Sequence, residues 1–375
     1  MQRLLRGRLL YLVLGLLVVL LYARTMSFRP VAGSLQDSQQ SKALQPLITD
    51  EEAAPFSEAQ AQHRSATQQR DTPNDWWPKG LDASVLQQAI GREPRVMLAV
   101  SILVIFIAGM WVGGFLLMVW SLWSGRIRSV WRFLPSVLPP WSFAEVARIL
   151  FLTILIASLL PFVRIALLSR YPTWDLDHHL WMTVSMVFLD LFVMLAILTF
   201  TLGKGTSVMK TLGFSTATLS KSIEVGFLGY VAVFPWLFVL LFLVIAAARF
   251  FGFEPPMEPI HELLFQEQRP LVLGLTVLLA CVVGPVAEEL FFRGIVYPAI
   301  RQRTSHVVAM LVSASLFSLI HTNVLGFLPI MVLGCLLAHL YERTGSLASP
   351  LAVHMLHNTF LLTLAMVFRK LLSLT

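Results

Sequence analysis

The chain has 375 residues, of which 57% are hydrophobic and 13% charged, with a formal net charge of +7. So apolar a composition exceeds what a soluble domain of this length can bury and points to a polytopic membrane protein. The 28 lysines and arginines are scattered between oily runs rather than gathered on one stripe, which excludes nucleic acid as the partner and reads as loop charge that orients the chain in a bilayer.

Arg3, Arg6 and Arg8 precede an apolar run from Leu9 to Ala23. Residues 1–23 thus have the length of a signal segment, but the poor small-residue pattern at Ala23 favours an uncleaved anchor. Residues 24–95 are rich in Gln, Ser and acids, as in Gln36-Asp37-Ser38-Gln39-Gln40. They bury too little apolar area to offset chain entropy and are expected to form a polar, extracytoplasmic linker. Near its end, Trp76-Trp77-Pro78 marks a headgroup interface.

Hydropathy then places eight spans at about 96–122, 146–168, 182–202, 225–249, 271–300, 307–322, 327–341 and 351–368. The expected fold is all-α: a polytopic transmembrane helical bundle of about eight core spans plus the N-terminal anchor or signal helix. Accessory helices occupy 96–270 and a catalytic core 271–368. The expected location is a bacterial plasma membrane.

Loops with Arg126, Arg128 and Arg132, with Lys204, Lys210 and Lys221, and with Arg301 and Arg303 fall on one side if the spans alternate, and that side is expected to be cytoplasmic. Asp175, Asp177, Glu254, Glu258, Glu262 and Glu267 fall on the other, while Arg369 and Lys370 break the pattern. Arg164 and Asp190, on neighbouring spans, are expected to neutralise each other, and Arg148 to snorkel. Cys281 and Cys335 sit in apolar segments without ligand spacing and read as small buried hydrophobes, with no disulfide.

The chemistry-bearing residues lie in the last ninety or so positions. Within Gly284-Pro285-Val286-Ala287-Glu288-Glu289-Leu290-Phe291-Phe292-Arg293-Gly294, Glu289 and Arg293 are four apart, on one helical face, and read as an ion pair. Glu288 points off that face and has no local cation, so it is the carboxylate left for chemistry. Pro285 is expected to kink or restart the helix and to place Glu288 near a positive helix end. Glu288 lies thirteen residues from the basic loop at Arg301, and His321 fifteen from His306. At about 1.5 Å per residue these are roughly 20 and 22 Å from the same face, so antiparallel neighbours bring the two level.

His354 and Asn358 are also four apart and must share a face, but counted from Pro350 they lie only about 6 to 12 Å along their helix. His339 reads as a packing residue. His357, three residues after His354, has a spacing that metal sites also use, with a structural role the stronger reading.

Glu-Glu-x-x-x-Arg at 288–293, Phe-x-x-x-His at 317–321 and His-x-x-x-Asn at 354–358, in this order on successive spans, resemble the CPBP family of intramembrane CAAX-type endopeptidases and bacteriocin-processing or immunity proteins. The resemblance covers roughly residues 271–368, with Phe292-Arg293-Gly294 and Arg343-Thr344-Gly345-Ser346 as smaller shared features. It implies a membrane-associated peptide or protein substrate within the lipid bilayer. In that chemistry Glu288 acts as general base on a water and His321 shares its proton, while His354 and Asn358 donate to the oxyanion and Glu289, Arg293 and Phe317 support the site.

A zinc version, with His321, His354 and Glu288 as ligands, is the alternative mechanism, although the His-Glu-x-x-His zinc-protease signature is absent. Two other functions compete with the enzyme. One is a noncatalytic scaffold or immunity protein of the same family. The other is a proton-coupled transporter using Glu288 and His321, against which no paired inverted halves are visible.

Overall fold

The structure is a computed structural model that describes residues 91, 93–124, 141–174, 176–204, 219–252, 259–321 and 324–373. The expected anchor over 1–23, almost all of the linker, Trp76-Trp77, the Arg126–Arg132 loop, Lys210, Asp175, Glu254, Glu258 and the side chain of Glu262 lie outside the described residues. Glu93–Leu374 forms one compact unit.

The described residues of this unit form helices and no strand. In chain order these are α1 (Pro94–Trp123), α2 (Phe143–Arg170), α3 (His178–Gly203), α4 (Leu219–Phe250), the short α5 (Pro259–Gln266), α6 (Pro270–Arg301), α7 (His306–Ile320), α8 (Phe327–Thr344) and α9 (Ala348–Leu372). Six of them, α1 to α4, α6 and α9, are long and apolar enough to cross a membrane. The protein is an integral, multi-pass membrane protein built as a helical bundle. The remaining two expected spans are short: α7 has 15 residues and α8 has 18.

Hydropathy located the helices but began several of them late, because helix starts are polar. Helix α2 opens three residues before the expected boundary on a capping box, in which Ser142 accepts from the Glu145 amide and the Glu145 side chain accepts from the Ser142 amide. Asp177 caps α3 through the Leu180 amide, and Ser305 caps α7 through the Val308 amide. These residues satisfy orphan amides, a gain that a hydropathy window does not register.

With lipid on the outside, the bundle is held by close packing rather than by exclusion of water. Tyr230, Phe234, Leu336, Leu337, Leu340, Val353 and Phe360 knit α4, α8 and α9 together. Glycine permits the nearest approaches: a Cβ on Gly226 would come within 2.9 Å of the Ser349 carbonyl oxygen, and one on Gly334 within 3.0 Å of Ala314 and 3.3 Å of Phe317. The second contact draws α8 onto α7.

Polar clamps hold the two ends. At one, Lys204 pairs with Glu145 at 2.9 Å and sits over the Trp141 ring, while Arg301 pairs with Glu342 at 2.9 Å. At the other, Arg269 pairs with Asp177 and Glu267, His179 also meets Glu267, and Arg369 donates to the carbonyls of Leu264 and Glu267. Arg369, which broke the charge pattern, thus ties α9 to α5. Cys281 and Cys335 are both free thiols.

Candidate active site

Helix α6 carries the paired glutamates and does not restart at Pro285. Backbone torsions stay right-handed through Val283, Gly284 and Phe292, and two stretches of i→i+5 bonding, Leu279–Val283 and Phe292–Val296, bracket Gly284–Phe291. Proline lacks an amide and crowds the carbonyl four residues earlier, and the wider turn relieves both problems without a break. The expected positive helix end beside Glu288 is therefore absent.

Glu289 and Arg293 form a buried pair, 1% and 0% exposed, with 2.8 Å between Arg293 Nη1 and Glu289 Oε1. Arg293 also donates to the Gly334 carbonyl at 3.1 Å and lies 4.5 Å over the Phe317 ring. The same Glu289 oxygen meets His354 Nδ1 at 2.8 Å. One carboxylate thus fixes both an arginine on its own helix and an imidazole on α9. A proton on His354 Nδ1 directed at Glu289 leaves Nε2 facing the site.

Glu288 stands on the neighbouring face. Its Oε2 is buried and without a hydrogen-bond partner among the described residues, 3.6 Å from His354 Nε2 and 3.9 Å from His321 Nε2. His321 caps the end of α7, and its Nδ1 donates back to the Phe317 carbonyl at 2.8 Å, so its Nε2 also looks toward Glu288. Phe317 is the wedge of the site: its ring meets His321 edge to face at 4.8 Å and His354 at 5.6 Å, while its other neighbours are Phe292 and the Arg293 guanidinium. A phenylalanine four residues before the histidine thereby sets the height of both imidazoles.

The structure brings Glu288, His321, His354, Glu289, Arg293 and Phe317 together. Asn358, one turn beyond His354, is turned toward α6, where its amide donates to the Ala280 carbonyl at 2.9 Å. That carbonyl lies in the first i→i+5 stretch, five residues before Pro285, which has no amide hydrogen to offer it. The shallow depth counted for His354 came from placing Pro350 at the membrane surface. Ser346 to Pro350 are all buried, and Ser349 abuts Gly226 of α4, so α9 begins inside the protein.

His357 belongs elsewhere: its Nδ1 lies 2.9 Å from the fully buried Tyr230 hydroxyl of α4. Arg164 and Asp190 do not neutralise each other. Arg164 donates twice to the Leu176 carbonyl, at 2.9 and 3.3 Å, whereas Asp190 stands beside Gly284 and Glu288. Sequence reasoning missed Asp190 as a neighbour of the site. An acid midway along an oily span was the available signal, and its direction was not readable from one helix alone.

Among the described residues an outer trio, Asp177, His179 and Glu267, brings three ligand atoms within 4.8 Å of one another. Nitrogen and oxygen ligands about 2.0–2.2 Å from a tetrahedral zinc lie roughly 3.3–3.6 Å apart, close to the 3.6 and 3.9 Å that separate Glu288 Oε2 from His354 Nε2 and His321 Nε2. His321, His354 and Glu288 are the residues that would hold a zinc at this site. The outer trio is filled by the Arg269 guanidinium, which is already ion-paired to two of its members.

Residues 270–360 match the family model described as Type II CAAX prenyl endopeptidase Rce1-like. Among curated proteins the chain is similar to "Putative membrane peptidase YdiL" of Bacillus subtilis (strain 168), with 33% identity over 86 residues, 23% of this chain and 35% of that protein. The chain therefore covers about a third of the length of this relative. No solved structure gives a significant match. Both matches bear out the CPBP-family resemblance, the family match over the stretch that holds the three motifs.

Proposed function

We propose that the bundle carrying this CPBP-family match is an intramembrane endopeptidase that hydrolyses a peptide bond of a membrane-associated substrate by glutamate-driven attack of water. The observation that carries the reading is the buried Glu288 Oε2, which faces the Nε2 atoms of two imidazoles across 3.6 and 3.9 Å. Such separations are too long for direct hydrogen bonds and suit a water held between the groups.

Glu288 Oε2 takes a proton from that water as its oxygen attacks the scissile carbonyl. His321 Nε2, its tautomer set by the Phe317 carbonyl, orients the water and passes the proton on to the leaving amine. His354 stands between two carboxylates, Glu289 at Nδ1 and Glu288 at Nε2. When protonated on both nitrogens it has a donor for the oxyanion at Nε2, and the amide hydrogen of Asn358 not used on Ala280 is a second. Glu289 and Arg293 hold His354 at its station. No step is assigned to a metal.

The test is purification into lipid bilayers and assay of candidate membrane peptides with wild type, Glu288→Ala and His321→Ala, each with and without chelator. Cleavage by wild type, lost in both folded variants and insensitive to chelator, supports the proposal. Cleavage abolished by chelator overturns the glutamate mechanism in favour of zinc. A full phenotype in both variants without cleavage assigns a scaffold or immunity role. Proton-coupled uptake without cleavage assigns transport.

A further inference from the structure

Glu288 turns its two oxygens to different surroundings. Oε2 faces the histidines, whereas Oε1 borders a notch above Gly284: a Cβ added there would lie 3.9 Å from Glu288 Oε1 and 3.7 Å from Asp190 Oδ2. Asp190 enters from α3, which packs along α6 at this level. Among the described residues its carboxyl group makes no hydrogen bond or ion pair, its expected partner Arg164 is committed to Leu176, and Glu288 is the charged group it feels.

An acid in the middle of a membrane helix is costly unless something nearby uses it. Two neighbouring carboxylates repel, and a single proton shared between them removes the repulsion and converts one into a donor. A Cβ at 284 would touch both carboxyl groups, so glycine leaves room beside them. The notch is also tight on its other side, where the same Cβ would lie 3.0 Å from the Leu279 carbonyl oxygen.

We propose that Asp190 is a positioning residue for Glu288: its carboxyl group donates to Glu288 Oε1 across the Gly284 notch, directly or through one water, and so keeps Oε2 aimed at His321 and His354. The donated proton stays on Asp190 through the reaction. Oε1 is occupied, and the proton taken from the attacking water goes to Oε2. This inference rests on the catalytic reading of Glu288.

The test compares full-length wild type, Asp190→Ala, Asp190→Asn and Glu288→Gln in bilayers, by cleavage kinetics and by the infrared stretch of protonated carboxyl groups. Asp190→Ala is expected to lower kcat about tenfold or more with KM within about twofold, while Asp190→Asn, a neutral donor of the same shape, keeps kcat within about threefold. A protonated-carboxyl band present in wild type is expected to vanish in Asp190→Asn and to shift in Glu288→Gln. Asp190→Ala kinetics equal to wild type, Asp190→Asn as slow as Asp190→Ala, or a band indifferent to Glu288→Gln overturns the proposal. Should wild type cleave no peptide, the catalytic reading fails, and the infrared shift alone decides whether the two carboxyl groups are joined.

Discussion

Replacing Arg293 by Met removes a guanidinium that is 0% exposed while keeping most of its apolar stem. Three contacts disappear: the 2.8 Å bond to Glu289, the 3.1 Å bond to the Gly334 carbonyl and the stacking on Phe317. Hydrogen bonds to charged groups contribute about 1.5–3 kcal/mol each, and the cation–π contact about 0.5–2 kcal/mol. These losses are not additive to the cost seen from Glu289, whose buried carboxylate is left with His354 as its partner: breaking one side of such a pair costs about 3–5 kcal/mol altogether. A methionine in the same space recovers part of the packing, so the expected loss is about 3–5 kcal/mol in all. Denaturant titration of the protein in mixed micelles or bicelles measures it. The double variant Glu289→Leu/Arg293→Met removes both charges and is expected to be more stable than Arg293→Met alone, yet inactive, because His354 Nδ1 loses its acceptor. Equal stability of Arg293→Met and wild type, or a double variant that is the sum of two large losses, would refute the view that Glu289 anchors the site through its two partners.

Three further outcomes are expected from the same geometry. Gly334→Val, whose Cβ would press on Ala314 and Phe317, is expected to lose about 1–3 kcal/mol of stability and to lower cleavage by displacing Phe317 and with it His321; unchanged activity would show that the α7–α8 contact does not set the imidazole. Tyr230→Phe leaves His357 Nδ1 without its 2.9 Å partner, so it is expected to cost about 1–3 kcal/mol and to leave kcat unchanged, and a kcat loss at full folding would move His357 into the site. Hydrogen bonds led by the Arg269 side chain hold the Glu267 carboxyl well below the usual carboxylate range. A depressed carboxylate contributes stability above its unfolded value of about 4.3 and loses it as pH falls below. Thermal melts are therefore expected to fall with acid below about pH 4 in wild type and to be flatter in Glu267→Gln; parallel curves would show that the clamp does not stabilise this end of the bundle.

The positions of the eight core spans were legible because lipid demands long apolar runs, and each of the eight overlaps an observed helix. The meeting of Glu288 with His321 was legible as well, since rise per residue and antiparallel neighbours fix depth without any knowledge of packing. What depth cannot supply is rotation between helices. Asp190 was assigned to Arg164 from span adjacency, yet α3 is turned so that it faces Gly284. The link from His354 to Glu289 was hidden for the same reason, since spacing within α6 accounts for Arg293 but not for a second partner on α9. Pro285 misled because a proline reads as a break when i→i+4 bonding is assumed, and the i→i+5 stretches that absorb it leave no mark in residue type. The bond from Asn358 to the Ala280 carbonyl was hidden as well, because it joins α9 to the first i→i+5 stretch of α6.

The proposed mechanism comes down to one oxygen atom, and the rate of peptide cleavage by Glu288→Gln against wild type, in the same bilayers and with folding verified by equal melting behaviour, tests it most directly. Glutamine keeps the shape and one acceptor but cannot take a proton, so cleavage is expected to fall about 10²- to 10⁴-fold. A Glu288→Gln protein that cleaves as fast as wild type would contradict the role of Glu288 as the base.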